Sequence, residues 1–372
     1  MRVLHIFYEI KYSGAEIMYA NAAELFQQQG VEMLALNTAN NLGDFTPKFV
    51  SAGIQVYHKS LSNNTKSPIK VIRFFKWLYR FIKDKEIKVI HIHRNPFYLG
   101  FAMVGFLAGC RVIRTVHNVI QYKKMMWPKA LTERFIASHI FKVIFQTIGQ
   151  SVDEHEHSYF LNQSTLINNW YDNKRFYPSD SIHEKNKIKE NLALPADSFV
   201  IISTGGCTHV KNHHDIIRAL KIINVSTPCI YLHLGSGPTE QEELDLATSL
   251  NINDQIFFLK NKDNVRDYLI ASDVYIMSST HEGLSIAAIE AMATGIPSIL
   301  YNSPGLRDLI KNDDNGFLIE PTYHEIASKV LLYKNSELLR QSKRAQALNY
   351  VTQNYSMLSG AKQISDLYKS NI

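Results

Sequence analysis

The sequence predicts an α/β protein made of two doubly wound, parallel-sheet domains. Three observations lead there. Short β-branched runs alternate with longer helical stretches, the pattern of βα units stacked around a parallel sheet. The alternation stops near residue 166, crosses a turn-rich stretch containing Asn168, Asn169, Asp172, Asn173 and Pro178, and then restarts. The chain has 372 residues, more than the roughly 100 to 200 of a single domain.

Taken in order, strands are expected at 2–7, 32–37, 89–93, 112–116 and 143–146, each a short apolar run. Residues 15–29, ending at Gly30, and 68–84 carry apolar side chains at helical spacing and predict helices. Beyond the turn-rich stretch, strands are expected at 199–203, 230–234, 255–259, 274–277 and 298–300. The domains are accordingly drawn at 1–167 and 168–350, with 351–372 as a helix returning to the first. Doubly wound sheets bind ligands outside the carboxyl ends of their strands, so a cleft between two such facing domains is the expected seat of chemistry.

Composition narrows the class. With 45% hydrophobic and 20% charged residues, the chain is neither disordered nor fibrous. Cys110, Cys207 and Cys229 lie far apart, in no spacing that suggests disulfides or zinc; a reducing, cytoplasmic setting and no metal are expected. The apolar start is cut off by Glu9 and Lys11, which argues against a signal peptide, and the nearly uncharged stretch 95–110 is shorter than the ~20 residues of a spanning helix. Forty basic against 34 acidic residues is a mild excess, and no nucleic-acid-reading motif accompanies it.

The strongest local feature is 278–297, SSTHEGLSIAAIEAMATGIP, which follows a strand and opens a helix. Ser285 suits the N-cap, and Gly295 with Pro297 suits the end. A helix starting near Leu284 aims free N–H groups and its positive dipole end at a ligand, and Gly283 admits a phosphate close to the backbone. Glu282 precedes this helix and Glu290 lies on it, so one carboxylate can face a sugar while the other accepts from ribose hydroxyls. Lys211 follows the strand at 199–203 through Gly205 and Gly206, placed to meet a diphosphate. His117, in the phrase RTVHN, stands at a strand's carboxyl end. His91 and His93 alternate with Ile90 and Ile92 and read as packing residues; the run Asp153-Glu154-His155-Glu156-His157 reads as a solvated charged face, and Asp313-Asp314 as a turn.

In the helix at 68–84, Lys70, Arg73, Lys76, Arg80 and Lys83 form one basic stripe. Ile72, Phe75, Tyr79 and Ile82 form an apolar one, widened by Phe74, Trp77 and Phe81. The apolar side is expected to pack on the sheet, and the basic side suits contact with an anionic membrane.

The wording Glu282-Gly283, then Glu290-Ala291-Met292-Ala293 to Gly295-Ile296-Pro297, resembles the glutamate, seven residues, glutamate motif of the family 4 glycosyltransferases. The opening strand with Ser13-Gly14-Ala15-Glu16, where Ser13 replaces the more usual first glycine, is similar to that family's glycine loop. So are LHLGSGP at 232–238, ASDVYIMSS at 271–279 and NGFL at 315–318, in this order. The resemblance spans nearly the whole chain. It implies the GT-B fold and retaining transfer of a sugar from a UDP- or GDP-linked donor, without a further cofactor, to a saccharide or lipid-linked acceptor. It assigns Lys211 to the diphosphate, Glu290 to the ribose, Glu282 and His117 to the sugar, and Gly14 to the cleft wall; amides at Gly283, Leu284 and Ser285 face phosphate. The family's usual arginine ahead of this lysine is Gly206 here, and backbone amides of Gly205 and Gly206 are expected to stand in for it. The competing reading, a nicotinamide-dependent oxidoreductase, needs a glycine fingerprint after the first strand, where residues 8–16 hold only Gly14.

Overall fold

The computed structural model describes residues 1–370 apart from 62–64, 66, 94, 121, 122, 124, 226 and 227. The chain divides into two compact units, Met1–Trp170 with Met357–Ile372, and Tyr171–Ser356.

The first unit holds a parallel sheet of β1 (Arg2–Phe7), β2 (Glu32–Asn37), β3 (Gln55–His58), β4 (Ile87–Ile92), β5 (Arg111–Val116), β6 (Ile144–Thr147) and β7 (Thr165–Leu166). The order is β3-β2-β1-β4-β5-β6-β7, so winding reverses between β1 and β4. Central strands are nearly all buried, because helices cover both faces of such a sheet. Sequence reasoning missed β3 and β7, short outer strands with exposed residues and hence little apolar signature. The single helix expected over 15–29 is two, Gly14–Asn21 and Ala23–Gln28: Ala22 leaves helical dihedrals at φ −91°, ψ 2°, although Phe26 N–H still donates to its carbonyl.

Helix Met357–Lys369 closes this unit. Its Tyr368 hydroxyl meets His91 Nδ1 at 2.6 Å, and Arg111 donates to the Leu367 carbonyl at 2.7 Å. Thr115 Oγ1 occupies the other His91 nitrogen at 2.6 Å, and both His91 and His93 are buried. The charged run around Asp153 departs from its expected role. Helix Gln150–Phe160 buries Val152, Glu156 and Phe160, which share one face at spacings of four. Glu156 is fully buried and accepts hydrogen bonds from Arg134, the shortest at 2.8 and 2.7 Å, so the run is solvated on one side only.

The second unit repeats the plan with β8 (Phe199–Thr204), β9 (Cys229–Leu234), β10 (Ile256–Phe258), β11 (Val274–Met277), β12 (Ser298–Tyr301) and β13 (Phe317–Ile319). The order is β10-β9-β8-β11-β12-β13, all parallel, with the reversal between β8 and β11. The three-residue β13 was not expected as a strand, although NGFL at 315–318 overlaps it. This unit runs through helix Glu337–Asn354 to Ser356, past the boundary drawn at 350, and its ends meet where Tyr171 bridges Ser356. Among the described residues no helix is long and apolar enough to cross a membrane.

Candidate active site

Because β8 and β11 are neighbours at the point of reversal, the loops leaving their carboxyl ends run side by side. Thr280 N–H donates to Val210 O at 2.8 Å, and the Ser278 hydroxyl sits 2.9 Å from both the Lys211 and Asn212 carbonyls. A third loop, after β12, joins them: Glu282 N–H donates to Pro304 O at 2.9 Å and the Ser303 hydroxyl to Ser279 O at 2.7 Å. Gly305, at φ +77°, makes this approach possible, since a Cβ there would lie 2.6 Å from the Glu282 carbonyl oxygen.

In this framework Lys211 Nζ lies 2.7 Å from Glu282 Oε1, each side chain about one-fifth exposed, at 22% and 18%. Their separation of 71 positions explains why the sequence shows no sign of the pair. Beneath Lys211 the backbone is packed to contact: Gly235, at φ +154°, would place a Cβ 1.8 Å from Gly205 O. One expectation is corrected here. Gly205 N–H already donates to Leu234 O at 2.9 Å, extending the β8–β9 ladder, so a cradle built from the amides of both Gly205 and Gly206 is not available.

Helix Ile286–Ala293 starts at this spot. Ser285 caps it, accepting from Ala288 N–H at 3.3 Å while its hydroxyl donates to Met277 Sδ at 3.0 Å, and buried Leu284 anchors the entry. The remaining first-turn N–H groups have no intrahelical acceptor and carry the positive end of the helix dipole. Glu290, half-buried on the second turn, has its carboxyl pushed up to about 8 by burial, with Arg175 opposing and Asp172 adding to the rise. Arg175 escaped sequence reasoning because it sits in the turn-rich stretch, where a charged residue draws no notice. Its guanidinium donates to Asp263 O at 2.6 Å.

Lys211, Glu282, Gly283, Leu284, Ser285 and Glu290 thus gather on one strand end with Gly205 and Gly206. Gly14 and His117 belong to the other unit. Gly14 is exposed and opens its helix, while the Ser13 hydroxyl bonds to the Glu16 carboxylate. His117 follows β5 and is the outer end of a row of imidazoles: its Nε2 lies 3.3 Å from His93 Nδ1, and His93 Nε2 lies 3.0 Å from His5 Nδ1.

Comparison with known proteins identifies the family. Residues 12–147 match Glycosyltransferase Family 4 and residues 184–351 match Glycosyl transferases group 1, so a glycosyltransferase is defined across both units. The chain belongs to the family 4 glycosyltransferases. A UDP-Gal:α-D-GlcNAc-diphosphoundecaprenol α-1,3-galactosyltransferase of Escherichia coli is 24% identical over 313 residues, covering 81% of this chain and 80% of its own. Among solved structures, a glycosyltransferase from Rickettsia africae superposes with a TM-score of 0.85 at 17% identity, over 100% of this chain and 99% of its own. HepE from Anabaena, solved with UDP, gives 0.85 at 19% identity over the whole of both chains. The fold is GT-B, and the nicotinamide-dependent alternative is set aside.

Proposed function

We propose that this chain moves a hexose or N-acetylhexosamine, with retention of anomeric configuration, from a UDP- or GDP-linked donor to a saccharide or lipid-linked acceptor in cell-surface polysaccharide or glycolipid assembly. The observation that carries the reading is the convergence of the Lys211–Glu282 pair, the start of helix Ile286–Ala293 and Glu290 at the reversal point of the second sheet. A departing diphosphate needs positive charge held in place before the bond breaks, and the Lys211 ammonium and the helix amides supply it. Glu282 keeps Lys211 extended until the diphosphate takes over as its partner, and then faces the sugar. Glu290 accepts from the ribose hydroxyls.

The wording of relatives' names favours uridine as the base, since the Escherichia coli relative uses UDP-Gal and HepE was solved with UDP-glucose. The acceptor named for the former is lipid-linked, which suits the basic helix Pro68–Asp84 as a contact with the cytoplasmic face of an anionic membrane. The direct test is thermal stabilisation by UDP, GDP, ADP and NAD, because a ligand bound only by the native state raises the melting temperature. A shift with one nucleoside diphosphate, lost in Glu290→Ala, is expected; a shift with NAD alone, or with none of the four, would sink the reading.

A further inference from the structure

Beneath the Lys211 loop, the second unit encloses four side chains that no part of the transfer chemistry uses. Cys207, His213, His233 and Glu243 come from a loop, two helices and a strand, and each is at most 3% exposed. One potential ligand atom from each lies within 4.8 Å of all the others. Cys207 Sγ is 3.1 Å from His233 Nε2, and His213 Nδ1 is 3.2 Å from Glu243 Oε1. Glu243 Oε2, although fully buried, has no hydrogen-bond partner among the described residues. A carboxylate oxygen enclosed in this way costs free energy unless something positive meets it.

We propose that these four residues hold one divalent transition-metal ion, zinc by ligand type, as a structural clip under the Lys211 loop. The ligand set has the right chemistry. A thiolate, two imidazoles and a carboxylate suit zinc, whereas a sulfur ligand argues against calcium or magnesium. Binding displaces the Cys207 thiol proton to solvent, and the resulting thiolate with the Glu243 carboxylate balances the 2+ charge, so the buried site is neutral. Tetrahedral zinc sets neighbouring ligand atoms about 3.3–3.6 Å apart, close to the 3.1 Å between Cys207 Sγ and His233 Nε2.

The surroundings also fit. His233 turns its other nitrogen, Nδ1, towards the Ser203 and Tyr231 hydroxyls at 3.2 and 3.3 Å, which fixes Nε2 as the ligand. Thr239 Oγ1 donates to Glu243 Oε1 at 2.9 Å and orients that carboxylate. Cys207 is held by its backbone, with Thr239 N–H donating to its carbonyl at 3.2 Å, and Gly237 packs so closely that a Cβ there would lie 2.3 Å from Cys207 O. The other histidine cluster, His5, His91 and His93, offers less: hydroxyls already occupy both His91 nitrogens. The clip also has a plain mechanical effect, because Cys207 and His213 are the two ends of the turn that carries Lys211.

The test begins with the wild-type chain. Its metal content is measured by mass spectrometry, and the chelator-stripped protein is then titrated with Zn(II) and Co(II). About one ion per chain is expected, with a rise in melting temperature on adding zinc and a thiolate-to-cobalt charge-transfer band. The band should vanish in Cys207→Ser and persist in Cys110→Ser and Cys229→Ser. Should Cys207→Ser fail to fold, X-ray absorption of the zinc-loaded wild type decides, with one sulfur at about 2.3 Å and nitrogen or oxygen at about 2.0–2.2 Å expected. A chain that takes up neither ion, a site without sulfur, or a band that survives loss of Cys207 would overturn the assignment. All of these readouts are independent of nucleotide binding, so they stand or fall apart from the proposed transfer.

Discussion

Glu290 makes its proposed role testable through pH. Burial raises its carboxyl from 4.5 to about 8, so across that window the folded chain keeps a proton that the unfolded chain releases. Folding therefore loses this contribution as pH rises from the lower value to the higher. Against Glu290→Gln, the wild-type melting temperature should fall progressively over the window; parallel curves would show that the carboxyl is not shifted. The ionised form is the stronger acceptor for ribose hydroxyls, so affinity for the nucleoside diphosphate should rise more steeply with pH in the wild type than in Glu290→Gln, as read by calorimetry. For Lys211, whose ammonium is proposed to meet developing phosphate charge, Lys211→Ala should lower kcat by about 10²–10³. A loss confined to KM would move the residue out of the transition state. Elsewhere, Glu156→Ala leaves the Arg134 guanidinium buried, 3.4 Å above the Phe160 ring, without its carboxylate. That should cost about 3–5 kcal/mol in urea unfolding, while replacing both partners by Met and Leu should cost far less.

At the level of elements, the helix Pro68–Asp84 shows how far apolar pattern can be read. Its buried residues are Phe74, Leu78, Phe81 and Ile82: the expected apolar stripe holds at Phe74, Phe81 and Ile82, gains Leu78, and fails at Ile72 and Tyr79, which are exposed. The helix has more apolar side chains than its packed face can cover, and the surplus, Ile69, Ile72 and Tyr79, is exposed among Lys70, Arg73, Lys76 and Arg80. Lys83 also differs from its neighbours on the basic stripe: its ammonium donates to Ala108 O at 2.8 Å, at the end of helix Tyr98–Leu107. Apolar residues interleaved with cations suit insertion at a lipid interface. Replacing Lys70, Arg73 and Lys76 by Gln should lower co-sedimentation with phosphatidylglycerol vesicles by about fivefold per residue, at about 1 kcal/mol each, and salt should weaken the wild type similarly. Unchanged sedimentation would return this face to plain solvent. The central strands and the helix after β11 were legible because each is a continuous run whose pattern is local. The pairing of Lys211 with Glu282, the proximity of Arg175 to Glu290, and the Cys207 cluster were not, since each joins residues that only the completed sheet brings together.

Across the whole molecule one winding plan occurs twice, and the chemistry proposed here sits at the reversal of the second copy. The first unit is discontinuous in sequence, while the second is a single stretch with paired ends. That arrangement sets a timetable for synthesis. On the ribosome the second unit is complete before Met357–Lys369 exists, so the first sheet waits for its own last helix while about 200 further residues are made, roughly 10–40 s at 5–20 residues per second. During that interval His91 lacks the Tyr368 hydroxyl, and Arg111 lacks the Leu367 carbonyl. The portion emerging first is therefore the last to be sealed, and a cell short of chaperones should accumulate chains whose second half is native and whose first half is not.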